Sequence, residues 1–385
     1  MIEKLARKGV VLVNPDSIEI GPEVNPDRIE QGVVFHPGCR IRGADTFLCS
    51  GTEIGKEAPA TVENCCAGPE VSLNGGYFKN SVFLKKSSVG SCAQIREGTI
   101  LEEQAGAAHN VGLKQTILFP FVTLGSIINF CDCLMAGGTG KDNHSEVGSS
   151  YIHFNFTPQQ DKATPSLIGD VARGVMLNQP PVFLGGQGGL VGPCRLAYGT
   201  VIAAGTINRK DEHRPGRLIF GGPDRSGNIP YKKAGGTRNI GRIVENNLFY
   251  IASLHALRCW YANVRYMFIS ESLPEPLYHG LLRTLDGCIE ERVRRFDKFA
   301  EGQVSQYSGR ELFDRGNGEL EDPGAKEKFL ARVSRQIEAQ GKQDYTGVIQ
   351  SLDQADADLG ISWLQGIIDS LAQRWKSRLP GLFQA

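Results

Sequence analysis

Aliphatic or aromatic residues return at every sixth position from Phe83 through Val89, Ile95, Leu101, Ala107 and Leu113 to Phe119. The same phase is set earlier by Phe35, Ile41 and Phe47, and later by Leu184, Leu190, Leu196 and Ile202. A period of six belongs neither to a helix at 3.6 nor to a plain strand at two, so the repeat itself predicts the architecture. One inward apolar residue per side, with Gly, Ser, Ala, Thr and Asn between to turn the corner, describes a chain wound as a flat-sided prism. The expected fold is a parallel β-solenoid held by stacking of successive coils.

The phase slips near Ile54 and between Cys65 and Tyr77, which predicts bulged corners. It breaks again at "MAGGTGKDNHSEVGSS", and Gly and polar residues there predict a loop leaving the prism over 136–150. A second such loop is expected over 157–165. After Asp211 comes a basic, Gly-rich stretch without a period, read as a connector over 211–242. From Ile243 the period is helical: an apolar run to Ile269, a break at Pro274 and Pro276, then Leu277, Leu281, Leu285, Ile289, Val293 and Phe296. Two further patterns, through Phe329, Val333 and Ile337 and through Leu364, Ile368, Leu371 and Trp375, complete a helical domain over 243–385. The expected organisation is thus mainly β, with an N-terminal segment over 1–30, a solenoid over 31–210, the connector and the helices.

Within this frame the residues from Ser166 to Asp211 are informative. "SLIGDVARGVML" and "VFLGGQGGLVGPCRLAYGTVIAAGTINRKD" resemble the hexapeptide-repeat acyltransferases. They are closest to the acetyltransferase half of the bifunctional glucosamine-1-phosphate acetyltransferase/uridyltransferase family, with its "IGD…FxGS…LVAPVxIGxGAxIAAGTxxxKD" pattern. "HFNFTPQQDKATPSLIGD" likewise resembles that family's "CNYDG…IGD" loop, with Asn155-Phe156 in place of Asn-Tyr. With the periodicity upstream, the resemblance covers about half the chain, and it implies a left-handed parallel β-helix of three hexads, about 18 residues, per coil. "VFHPG" at Val34 to Gly38 resembles the opening coil of many such proteins, which makes His36 a corner residue. The family's "HLTYLGD" coil, which carries its catalytic His, is not recognisable here, and Phe156 lacks the tyrosine hydroxyl.

Only about 30 residues precede the repeats, and none forms a strand followed by a Gly-rich phosphate loop, so pyrophosphorylase chemistry is not expected. Lys plus Arg equals Asp plus Glu at 42 each, so no global field favours nucleic acid or a membrane surface. No signal peptide or membrane-span pattern is present, and a cytoplasmic protein is expected. The ten cysteines are scattered, and Cys65-Cys66 and Cys131-Asp132-Cys133 lack the spacing of a zinc knuckle. Free thiols at stacking positions, and no metal, are expected.

Acyl transfer needs a base for the nucleophile's proton, and imidazole suits it near neutrality. His144 lies in the extruded "GKDNHSE" loop beside Asp142, Asn143 and Glu146, any of which can fix its tautomer. His153 alternates with Tyr151 and Asn155 along "YIHFNF" and can line the same cleft; His109 is a third choice. His144, His153 and Asn155 are the catalytic candidates, with Asn143, Tyr151 and Lys162 as substrate contacts. Lys162 enters because it lies near an Asn-Lys position of the resembled loop.

The resemblance also implies acetyl-coenzyme A or another acyl-coenzyme A as donor, held between subunits of a homotrimer along the last coils. Ala197, Gly199, Ala203, Ala204 and Gly205 would flank the pantetheine arm, and Arg209, Lys210, Arg214 and Arg217 would receive phosphates. The acceptor would be a sugar, sugar phosphate or nucleotide sugar. The alternative is a catalytically idle solenoid that binds a sugar nucleotide or assembles partners, because a fold does not carry its family's activity automatically.

Overall fold

The computed structural model describes residues 1–155, 162–221, 239–303, 312–313, 323–379 and 382. The chain winds into a left-handed parallel β-helix with three faces. The first face is an eleven-stranded sheet from Val11–Leu12 to Leu218–Ile219. The second and third faces run together as one sixteen-stranded sheet, because Gly112–Leu118 and Asn129–Met135 each turn the corner between them within one strand. The 1–30 segment, expected ahead of the repeats, already carries a coil: Val11 pairs in parallel with Val34, and Glu19 with Arg40.

Seven helices are described: α1 (Ile2–Arg7), α2 (Val171–Gly174), α3 (Ile240–Asn263), α4 (Glu275–Gln303), α5 (Pro323–Gln340), α6 (Tyr345–Gln350) and α7 (Gln354–Ser377). The connector read over 211–242 contributes the last first-face strand, Leu218–Ile219, and its residues 222–238 lie outside the described residues. No helix among the described residues is long and apolar enough to cross a membrane.

Each coil buries one ladder per face. Phe35, Ile54, Leu73, Val89, Ala107 and Leu124 stack up the first face, and Val62, Phe78, Ile95, Leu113 and Phe130 up the second. The corner between the second and third faces turns on single left-handed residues, Asn64, Asn80, Gly98, Gln115 and Asp132, all at positive φ. Gly and Asn tolerate this conformation best, which is why polar residues punctuate the repeat. At Gln115 the corner is one residue shorter than the six-residue phase allows. Leu118, not Phe119, therefore takes the inward position opposite Leu101.

The third face is apolar on both sides. Its outward column, Cys66, Val82, Ile100, Ile117, Leu134 and Leu167, is buried, because α3 and α4 lie over it. A methyl group on Gly280 of α4 would come within 2.6 Å of Cys66 Sγ, so this glycine is what permits the close approach. The cysteines of the described residues are all free thiols, and burial raises the thiol pKa of Cys65, Cys194 and Cys288 to about 12.

Polar contacts cross the same junction. The Tyr261 hydroxyl donates to Glu102 Oε1 at 2.5 Å, and Arg265 Nη2 donates to Glu103 Oε1 at 2.7 Å while its guanidinium lies over the Tyr345 ring at 3.8 Å. Burial pushes the Glu102 carboxyl up from 4.5 to about 7, against the attraction of Arg265. Unfolded Glu102 ionises near 4.5, so between 4.5 and 7 unfolding releases a proton that the native state still holds. Stability should therefore fall as pH rises across that window, by roughly 3 kcal/mol at most, and stay lowered above it. Melting curves from pH 4.5 to 8 should show this slope, and Glu102→Gln should flatten it. An equal slope in the variant would assign the pH dependence elsewhere.

Candidate functional site

His144 stands on a two-stranded hairpin, Gly138–Gly140 with Asn143–His144, extruded at the edge between the third and first faces. Gly137 and Gly138, both at positive φ, turn the chain out of the prism. The Asn143 amide donates to Thr139 Oγ1 at 2.9 Å and so closes the hairpin rather than facing a ligand. Gln350 of α6 donates to the Thr139 and Leu177 carbonyls at 2.7 and 3.0 Å, which ties the hairpin to the helical region.

The His144 ring has a defined polarity. Nδ1 lies 2.6 Å from the Lys141 carbonyl, which can only accept, so Nδ1 carries the proton in the neutral ring. Nε2 is left with its lone pair, 4.0 Å from a Glu146 carboxylate oxygen, and the side chain is 24% exposed. An imidazole held in one tautomer beside a carboxylate, with its free nitrogen reachable, is competent as a general base.

The other candidates are not gathered round it. His153 occupies the inward ladder of the second face, opposite Leu190. Its Nδ1 donates to the Cys131 carbonyl at 2.6 Å and its Nε2 accepts from Ser166 Oγ at 2.8 Å. Burial drives its pKa down to about 4, so it is a neutral interior residue, not the cleft base the alternation suggested. Tyr151 is also fully buried, its ring edge-on to Phe130, and cannot meet a substrate there. Asn155 follows the second-face strand Ile152–Phe154, at the opposite edge from His144, and its carbonyl accepts from Thr164 Oγ1 at 2.9 Å. Lys162 is exposed on the same side loop, and Phe156 lies outside the described residues. His109 bonds Ser126 Oγ at 3.0 Å and His36 pairs with Glu53 at 2.9 Å, both on other corners.

Along the last coils, Ala203 and Ala204 do serve stacking. A Cβ on Gly185 would meet the Ala204 nitrogen at 2.3 Å, so one coil's small residues let the next approach. Ala197 donates its backbone N–H to the Glu212 carbonyl at 2.8 Å. Arg214 is held by Glu212 at 2.7 Å, whereas Arg209, Lys210 and Arg217 are exposed. Sequence reasoning missed the outward ladder on the first face. Glu146 pairs with Phe183, Phe183 with Val201 and Val201 with Leu218, and the last three are 38%, 38% and 62% exposed. An apolar track therefore starts one coil above Glu146, beside His144, and ends next to the exposed Arg217, whereas Arg209 and Lys210 follow the second-face strand Ile207–Asn208, on the edge that carries Asn155. Its signal was an apolar residue just before the inward one, in Phe183-Leu184, Val201-Ile202 and Leu218-Ile219.

Among the described residues, no group of three or more His, Cys, Asp or Glu side chains is arranged to hold a metal ion. No protein-family model matches the chain. Bifunctional protein GlmU of Fervidobacterium nodosum is 28% identical over 211 residues, 55% of this chain and 41% of that protein. GlmU of Corynebacterium aurimucosum is 27% identical over 227 residues, 59% of this chain and 42% of that one. The chain is similar to GlmU proteins. With its six-residue ladders, it is a solenoid of the hexapeptide-repeat kind. The chain spans about two fifths of the length of these relatives. A solved LpxA structure from Acinetobacter baumannii covers 72% of this chain and 95% of its own at 16% identity. Its TM-score of 0.23 is too low to carry an inference.

Proposed function

We propose that the protein is an acyltransferase that moves an acyl group, acetyl in the simplest case, from a coenzyme A thioester to a sugar, sugar phosphate or nucleotide sugar. The observation that carries this reading is the fixed tautomer of His144 at the start of an exposed apolar track. Nε2 would take the proton from the acceptor's hydroxyl or amine as its oxygen or nitrogen attacks the thioester carbonyl. The carbon–sulfur bond then breaks, and the imidazolium returns the proton to the departing thiolate. Phe183, Val201 and Leu218 offer apolar surface to the acyl-pantetheine arm, and Arg217, next to Leu218, offers charge to the nucleotide phosphates. The similarity to GlmU proteins supports the class of reaction.

Calorimetry of acetyl-coenzyme A and coenzyme A against the full chain tests this directly. Saturable binding, weakened at least tenfold by Leu218→Glu, is expected. If neither carrier binds, the second reading applies: a solenoid that binds or scaffolds without transfer, favoured by the burial of His153 and Tyr151. The proposal includes a three-fold closed ring, which would cover apolar side chains that the helices leave exposed, such as Phe183 on the first face and Ile152 on the second. Sedimentation at micromolar concentration should give three times the chain mass; a monomer alone would remove the ring.

A further inference from the structure

A second site lies on the opposite edge of the prism, independent of His144. There α4 runs beside the corner between the second and third faces, and the two enclose a groove of about 510 Å³. That volume falls within the range of small-molecule sites, about 300–1,000 Å³. The solenoid wall of the groove carries the side-chain amides of Asn64, Asn80 and Gln115, together with Ser81. All three amide residues are corner residues with left-handed backbone; Asn64 and Asn80 stand on adjacent coils and Gln115 two coils further on, past Gly98, at about 4.8 Å per rung.

Two observations point to a ligand rather than to packing. Gln115 is buried and lines the groove; its amide N–H donates to the Glu97 carbonyl at 3.4 Å, but its Oε1 has no hydrogen-bond partner, an unmet acceptor at the groove wall. On the facing wall, Gly287 sits deep within the 29-residue helix α4, where glycine costs about 1 kcal/mol relative to alanine. Gly280, two turns earlier, is required by Cys66. At Gly287 a Cβ would meet nothing within 4 Å, so no neighbour requires the glycine, and its missing side chain widens the groove.

The charges in the groove select the ligand class. Arg283 pairs with Asp45 at 3.2 Å, Lys114 with Glu97 at 2.6 Å, and Arg294 and Arg295 both with Glu291 at 2.6 and 2.8 Å. Each carboxylate already has its cation and the four cations exceed the three carboxylates by only one, so a multiply charged ligand would have to break these pairs. Hydroxyl groups need not, because they donate to one partner and accept from another, as side-chain amides do. We infer that this groove binds a neutral, hydroxyl-rich ligand of the saccharide class, held between the amide ladder and α4.

Saturation-transfer NMR on the full chain, with maltotriose and chitotriose as probes, tests the inference. At least one trisaccharide should bind saturably, and Gly287→Leu, which fills the groove with a better helix former, should weaken it at least tenfold. Gln115→Leu should weaken it as well, whereas His144→Ala should leave it unchanged. Three results would each overturn the inference: no saturable binding of either trisaccharide, equal binding by a folded Gly287→Leu variant, or displacement by inorganic phosphate at equal concentration. Acyl transfer by the wild type is unaffected by any of them, so this site and the proposed activity are tested separately.

Discussion

His144→Ala should lower acyl transfer by about 10² to 10⁴-fold, the usual contribution of a positioned general base. The same change should shift stability by less than about 1 kcal/mol, because it removes a partly exposed side chain on an extruded hairpin rather than part of a ladder. Its one close polar contact is to the Lys141 carbonyl, and the hairpin keeps its tie to α6 through Gln350. Turnover of acetyl-coenzyme A with glucosamine 1-phosphate, measured beside a thermal melt, separates the two effects. His153→Ala should do the reverse. It empties an inward position between Cys131 and Ser166, so it should lower the melting temperature while any loss of rate follows the loss of folded protein. Equal rates for wild type and His144→Ala would remove His144 as the base.

The contrast between these two histidines shows what the pattern of residues could convey. Phe83, Val89, Ile95 and Leu101 were legible as inward because each side of the prism spends one position on its interior. His153 occupies an equivalent position, opposite Leu190, but residues between Phe154 and Ser166 interrupt the phase, and the following ladder no longer fixes the register. Alternation with Tyr151 and Asn155 then looked like the lining of a cleft. The same limit hid the junction with the helices. A six-residue count registers only the inward side chain, so Val82 and Ile100 passed as ordinary neighbours of Phe83 and Leu101, while Ile117 and Leu134 lay beyond the corner where the phase slips. Two adjacent apolar residues on successive coils of one face were the signal of an outward apolar column, which the helices cover on the third face and leave exposed on the first. Glu102, Asp132 and Arg292 carried no such signal, because pairing between residues so far apart in sequence is a property of the folded chain.

Arg292→Met should destabilise the protein by about 3–5 kcal/mol, the usual cost of leaving one member of a buried ion pair without the other. Arg292 of α4 reaches Asp132 at 2.7 Å across the junction, with the two side chains 3% and 7% exposed. Arg292 Nε and Nη1 find no other partner, so Asp132 carries most of the compensation for burying this charge. Taking away the arginine strands a carboxylate at a corner where φ is +64° and few residue types can replace it. Asparagine tolerates that backbone and carries no charge, so Asp132→Asn combined with Arg292→Met should recover most of the loss. Urea midpoints of the wild type, Arg292→Met and the double variant measure the cycle. Because α4 also forms one wall of the groove, trisaccharide binding should weaken in Arg292→Met and return in the double variant. If Arg292→Met unfolds at the wild-type midpoint, the pair does not fasten α4 to the solenoid, and the apolar column from Cys66 to Leu167 holds the helix by itself.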